Sequence, residues 1–213
     1  MIDNRYIPLF EAIICSICLM IFSCFIHSGF PVRIISFVAL LVPSYIFGKN
    51  LHSLSDFRKI TGVPTSFLMF NIYNIVGFML GMFLAVLYRW YLGLSLMPTS
   101  GLHHFVIVAA LIGALEELIF RGFIQEYAKS INAPFSIFFS AISHTGYKCC
   151  LFIIPLAAAD IDIKVLAFWT LGAGILFGTL KHFSKSIVPP LIAHVMFDIF
   201  VYVEFIDAPW WVW

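Results

Sequence analysis

The chain has 213 residues, 62% of them hydrophobic and only 11% charged, with a formal net charge of +1. That balance lies far from a soluble domain, and the small charge, with no long Lys or Arg run, sets nucleic acid aside as a partner. Apolar blocks about twenty residues long, each enough for a helix to cross about 30 Å of hydrocarbon, exclude the short alternating segments of a membrane β-barrel.

Seven blocks are read at roughly 7–27, 31–48, 67–88, 104–125, 134–155, 164–180 and 186–206. The predicted fold class is therefore all-α: a polytopic membrane helix bundle of about seven spans, six to eight being the range, with its active site in the bundle interior. Residues 1–213 read as one integral membrane domain and 104–206 as its catalytic core.

The first block follows Arg5 without a clear small-residue cleavage site and is predicted to be retained as a span. It holds Cys15, Cys18 and Cys24; Cys149 and Cys150 are adjacent near the end of the fifth block. Adjacent or intrahelical cysteines pair poorly, so buried free thiols are expected, and the Cys15–Cys18 spacing has no second ligand pair for zinc. Residues 49–66, with Arg58, Lys59, Gly62 and Pro64, form the only sizeable polar connection. Asn71 and Asn74 in the third block are expected to tie helices together by hydrogen bonds. Residues 151–159 either extend the fifth span or form a re-entrant piece before Asp160 and Asp162.

Arg5, Lys49, Arg58, Lys59, Lys129, Lys181 and Lys185 fall on one side of a seven-span chain, and Arg33, Arg89 and Lys164 on the other. The excess predicts a cytoplasmic amino terminus in the cell membrane, with Trp210, Trp211 and Trp213 anchoring the opposite interface.

Three ionisable groups, Glu116, Glu117 and Arg121, lie inside the fourth block, His144 inside the fifth, and His194 with Asp198 inside the seventh. Charge in hydrocarbon is costly, so such residues usually face a bundle interior and mark a functional site. At about 1.5 Å per residue, Glu116, His144 and His194 fall roughly 12 to 16 Å below the cytoplasmic surface, at one shared depth. Glu117 and Arg121 are i,i+4 neighbours able to pair, which leaves Glu116, about 100° around the helix, available for chemistry. A carboxylate and a histidine in a desolvated pocket make a general base, and His194 with Asp198 can supply a donor to an oxyanion. His103, His104 and His182 sit at block edges and are expected to be interfacial. Pro189 and Pro190 are expected to widen or kink the seventh span ahead of His194.

These residues resemble the CPBP family, the CAAX-protease and bacteriocin-processing (Abi) group of glutamic intramembrane proteases. Glu116-Glu117-Leu-Ile-Phe-Arg121-Gly122 stands as its Glu-Glu-x-x-x-Arg motif, and His194-Val-Met-Phe-Asp198 as its His-x-x-x-Asn/Asp motif. In its Phe-x-x-x-His motif His144 matches, but Ser140 replaces the Phe. The small-residue stretch 172–178 is also family-like. The resemblance implies a peptidase in which Glu116 and His144 activate water, His194 and Asp198 form the oxyanion site, and Glu117 and Arg121 support them. It implies no cofactor, a membrane-bound peptide or protein as substrate and the bilayer as surroundings. An Asp at 198 must be protonated or serve His194, since an ionised carboxylate repels an oxyanion. A zinc metalloprotease built from the same residues is the closest alternative, and a proton-coupled transporter belongs to a different class.

Overall fold

The structure is a computed structural model and describes residues 6–62, 66–99, 101, 103–153 and 162–203. The described residues form an all-helical membrane bundle fold: α1 (Tyr6–Phe25), α2 (Ile34–Asn50), α3 (Leu54–Thr61), α4 (Phe67–Tyr91), α5 (His104–Glu116), a π-helical segment (Glu117–Ile124), α6 (Gln125–Ala128), α7 (Ala133–Ile153), α8 (Ile163–Ser184) and α9 (Val188–Tyr202). Each predicted apolar block contains one long helical stretch. Three helices, α1, α4 and α8, are long and apolar enough by themselves to cross a membrane, and α2 is joined to α3 through a bend of 114°. Large apolar side chains stay outward along these helices, Phe67 being 82% exposed and Phe168 74%, as expected where lipid rather than water is the solvent. Residues 154–161, Pro64 and the three carboxyl-terminal Trp residues lie outside the described residues.

The chain divides into two compact units, neither continuous in sequence: residues 1–60 with 120–179, and residues 61–119 with 180–213.

In the first unit, α1 packs against α2 and α7. Glu11 on α1 accepts from Lys49 Nζ at 3.0 Å and from Asn50 Nδ2 at 3.1 Å, so a largely buried carboxylate is paired at the end of α2. Gly146 on α7 lets α1 approach closely, because a Cβ there would lie 3.1 Å from Met20 Sδ. Phe123 joins this core through Phe47, ring centroids 4.2 Å apart, and through Tyr127 at 4.0 Å. The start of α3 is closed by Ser53 and Asp56. The Asp56 carboxylate accepts from the Ser53 hydroxyl at 2.8 Å and from the backbone N–H groups of Ser53 and His52, while the Asp56 N–H donates back to Ser53 Oγ. This is a capping box with Asp in the acidic position. Those bonds, the Ser53 hydroxyl first, hold the Asp56 carboxyl below its ordinary value.

In the second unit α9 lies between α4 and α5. Gly77 and Gly81, four residues apart on α4, present bare backbone to α9: a Cβ at Gly77 would run into the Pro189 carbonyl, and one at Gly81 into the Ala193 carbonyl. Small residues at this spacing are the usual device for close helix approach in lipid. Tyr88 meets Phe197 at 5.7 Å and Phe105 meets Tyr202 at 5.5 Å. Arg89 is fully buried, with Nε donating to Ser95 O at 2.6 Å and Nη1 to Phe200 O at 2.9 Å. It thus places a cation at the carboxyl end of α9, where the helix dipole favours one.

Three expectations are corrected here. Pro189 and Pro190 begin α9 rather than kinking it, since proline in a first turn forfeits no intrahelical hydrogen bond. Arg89 and Lys181, counted as loop charges, are buried within α4 and α8. Among the described residues Asn71 is exposed and Asn74 Oδ1 is buried without a hydrogen-bond partner, so neither is seen tying helices together.

Candidate active site

In the second unit, α5 delivers Glu116 as its last residue, the π-helical segment delivers Glu117 as its first, and α9 delivers His194 and Asp198 from its middle. Their positions follow from the packing. Ala193 is pressed against Gly81, so the next residue, His194, turns away from α4 toward α5. There Gly113 leaves the space it needs: a Cβ at 113 would lie 3.0 Å from His194 Cδ2 and would run into Asp198 Oδ2. Glu117 Oε1 lies 2.8 Å from His194 Nδ1, a hydrogen bond. On the other ring nitrogen, His194 Nε2 lies 3.8 Å from Glu116 Oε2 and 3.8 Å from Asp198 Oδ2. Glu116, Glu117, His194 and Asp198 are all buried. Three carboxyl groups therefore surround one imidazole, and the two glutamates engage opposite ring nitrogens although helical stagger sets them apart.

In the first unit, Arg121 comes from the second half of the π-helical segment and His144 from α7. Arg121 Nη1 lies 3.1 Å from His144 Nδ1. A guanidinium has no acceptor, so Nδ1 must supply the lone pair; His144 is then neutral with its proton on Nε2. Arg121 is fully buried and passes 5.8 Å from the centre of the Phe177 ring, a cation–π contact. Gly174 on α8 admits it, because a Cβ there would lie 3.1 Å from Arg121 Nη2. Phe120 packs on the His144 ring at 4.6 Å and on Tyr147 at 5.5 Å. Ser140, where the resembling motif has Phe, donates to the Phe120 carbonyl at 2.7 Å, and Gln125 Nε2 donates to the Gly178 carbonyl at 2.9 Å.

The expectation of a continuous α-helix through 104–125 is thereby revised. From Glu117 the backbone widens into a π-helix, a rare form that tends to occur at functional positions. The bonds resolved join Glu117 to His194 and Arg121 to His144.

Gly113 and Gln125 were not anticipated as parts of these clusters, whereas Ser140 was read as a motif position and Gly174 lies in the small-residue stretch 172–178. Gly113 stands four residues before Glu117, a legible signal once a partner helix is known to cross there. The Gly77-x-x-x-Gly81 pattern was readable as a close-packing motif. Among the described residues no group of three His, Cys, Asp or Glu side chains is arranged to hold a metal ion.

Residues 98–200 match the family model described as type II CAAX prenyl endopeptidase Rce1-like. No curated protein and no solved structure matches the chain.

Proposed function

Residues 98–200 match the model of the type II CAAX prenyl endopeptidase Rce1-like family, and from that match we propose that the chain is a glutamic intramembrane endopeptidase that cleaves a membrane-associated prenylated or leader peptide. The match supports a membrane peptidase in general, and the residue roles and the substrate class are the finer part of the proposal. The observation that carries the roles is the imidazole of His194, bonded by Glu117 at 2.8 Å and approached at 3.8 Å by Glu116 and Asp198 on its far nitrogen.

In this reading Glu116 is the general base that takes a proton from the attacking water. It later returns that proton to the leaving amine as the tetrahedral intermediate collapses. His194 Nε2–H donates to the oxyanion that develops on the scissile carbonyl. Donation from Nε2 requires the Glu117–His194 pair to hold two protons, one on the Nδ1···Oε1 line and one on Nε2. Glu117 is therefore a positioning residue that sets the protonation pattern of His194, and Asp198 orients the same ring from the next turn of α9.

The family resemblance assigns His144 to the same water as Glu116. The Arg121 contact refines that role: with Nδ1 occupied as an acceptor, His144 offers Nε2–H as a donor. It orients and polarises while Glu116 deprotonates, and Arg121 is the positioning residue that selects the tautomer. No step calls for a cofactor. The site is assigned to the cell membrane in a multi-pass chain with the amino terminus cytoplasmic, because Lys and Arg remain in excess on that side when the buried Arg89 and Lys181 are both left out.

The test is cleavage in proteoliposomes, with a farnesylated carboxyl-terminal peptide and a leader-peptide fusion offered separately and products identified by mass. Cleavage of either by the wild type and its loss in Glu116→Gln support the reading. Equal cleavage by Glu116→Gln, or Glu116-dependent proton flux with neither peptide cut, overturns it.

A further inference from the structure

Beyond the residues given a role above, the first unit buries one polar side chain whose chemistry packing does not explain. Gln125 opens α6, directly after the π-helical segment, and is 3% exposed. Its Nε2 donates to the Gly178 carbonyl on α8 at 2.9 Å. Its Oε1 is buried with no hydrogen-bond partner among the described residues. A buried amide oxygen left unpaired is a cost that methionine or leucine, of similar size, would not carry. Filling space therefore does not account for the amide, and the Nε2 bond is what remains to account for it.

The register between the two elements shows what that bond does. Gln125 follows Arg121 by four residues, and Gly178 follows Gly174 by four, all within the first unit. Gly174 faces Arg121, a Cβ there lying 3.1 Å from Nη2, and Gly178 faces Gln125, a Cβ there lying 3.1 Å from Oε1. The two glycines thus give α8 a smooth strip against which two polar side chains lie one turn apart. In lipid such a strip permits close approach, and no hydrophobic force opposes a slide along it. The amide bond to Gly178 supplies the missing stop. A carbonyl has two lone pairs, so this one accepts from Gln125 without leaving its helix. Phe177, whose ring centre lies 5.8 Å from the Arg121 guanidinium carbon, immediately precedes the pinned carbonyl. We propose that Gln125 is a positioning residue that fixes α8 lengthwise, so that Gly174 and Phe177 seat the Arg121 guanidinium where Nη1 meets His144 Nδ1 at 3.1 Å. A slide of α8 would carry both away from Arg121 and let the guanidinium turn from the imidazole. His144 would then lose the contact that keeps its proton on Nε2. What Arg121 and His144 do in catalysis rests on the peptidase reading above; the seating does not.

The experiment is nitrogen NMR of the full chain in nanodiscs, with the His144 ring signals assigned by comparison with His144→Gln. The wild type is expected to show the Nε2–H tautomer. Gln125→Met removes the donor at similar size. Gly178→Ala presses on the same contact with Gln125 in place, since its Cβ would lie 3.1 Å from Gln125 Oε1 and from Ile137 Cγ2. Both variants are expected to show a mixture of tautomers. Gly172→Ala, on the same helix but with nothing within 4 Å of its Cβ, is expected to keep the wild-type signal. In the wild type the Gln125 side-chain N–H groups are expected to exchange with deuterium far more slowly than a free glutamine amide. A pure Nε2–H signal in folded Gln125→Met or Gly178→Ala, a mixture in Gly172→Ala, or fast exchange of the wild-type Gln125 amide overturns the proposal. The wild-type measurement keeps the test decisive where a variant does not fold. In a cleavage assay Gln125→Met should lower kcat and leave KM nearly unchanged. A wild type that cuts no peptide while the expected tautomers are seen would sink the peptidase reading and leave Gln125 in place.

Discussion

Arg121 donates from Nη1 to Nδ1 of His144 across 3.1 Å, and this one contact determines which nitrogen of the histidine carries its proton. A lysine at 121 keeps the charge but not the planar fork that meets His144 while lying against Phe177. Arg121→Lys is expected to lower kcat by about tenfold or more with little change in KM, since the interaction shapes the reacting state rather than substrate affinity. Nitrogen NMR of labelled His144 should show the Nε2–H tautomer in the wild type and a mixture in the variant. A pure Nδ1–H signal in the wild type would refute the assignment.

Glu116 and Glu117 touch the same ring and are expected to respond differently. Glu116→Gln removes a general base and should reduce turnover by roughly 10²–10⁴-fold, while thermal unfolding in detergent stays near the wild type. Glu117→Gln keeps an oxygen for the His194 contact but alters the proton held on it. It should retain more activity and shift the pH dependence of kcat/KM, and identical pH profiles for Glu117→Gln and the wild type would remove Glu117 from its positioning role.

Gly113 and Gly81 bracket α9 from opposite sides. At Gly113 an added Cβ meets side-chain atoms of Asp198 and His194, which can shift; at Gly81 it meets the Ala193 backbone, which cannot without moving the helix. Overpacking of this kind costs typically about 1–3 kcal/mol. Gly113→Ala is therefore expected to lose activity with a modest fall in unfolding temperature, and Gly81→Ala to lose more stability. The reverse order in thermal scans would contradict the packing described.

Ser140 is 1% exposed and bonded to the Phe120 carbonyl at 2.7 Å. Restoring the family's aromatic by Ser140→Phe should destabilise this chain, because no space is open for the ring. Ser140→Ala should cost about 0.5–1.5 kcal/mol for the lost hydrogen bond and speed amide exchange along the π-helical segment. Exchange unchanged in Ser140→Ala would show that the serine does not support that segment.

The capping box of α3 gives a pH dependence. The Asp56 carboxyl is held below its ordinary value by the Ser53 hydroxyl and neighbouring N–H groups. Its contribution is fully present above the ordinary carboxylate range and is lost as pH falls through the depressed folded value. Amide exchange at the start of α3 should rise on acidification in the wild type and be fast at all pH in Asp56→Ala. Protection in Asp56→Ala equal to the wild type near neutrality would count against the cap.

The chain's hydrophobic blocks were enough to determine an all-helical membrane bundle, because lipid leaves a backbone only a helix or a closed barrel and blocks of about twenty apolar residues fit the helix. The ordered motifs named Glu116, Glu117, Arg121, His144, His194 and Asp198 as candidates, since charge in an apolar helix is costly and usually marks a functional site. Sequence spacing could not say which groups bond. It suggested Glu117 with Arg121, and it did not suggest the bonds of Glu117 to His194 and of Arg121 to His144. The reason is that a bond between helices depends on how closely they approach, which spacing along one helix does not contain. That approach is decided by absent side chains, at Gly81 and Gly113 around α9 and at Gly174 beside Arg121, whose effect exists only once a partner occupies the space.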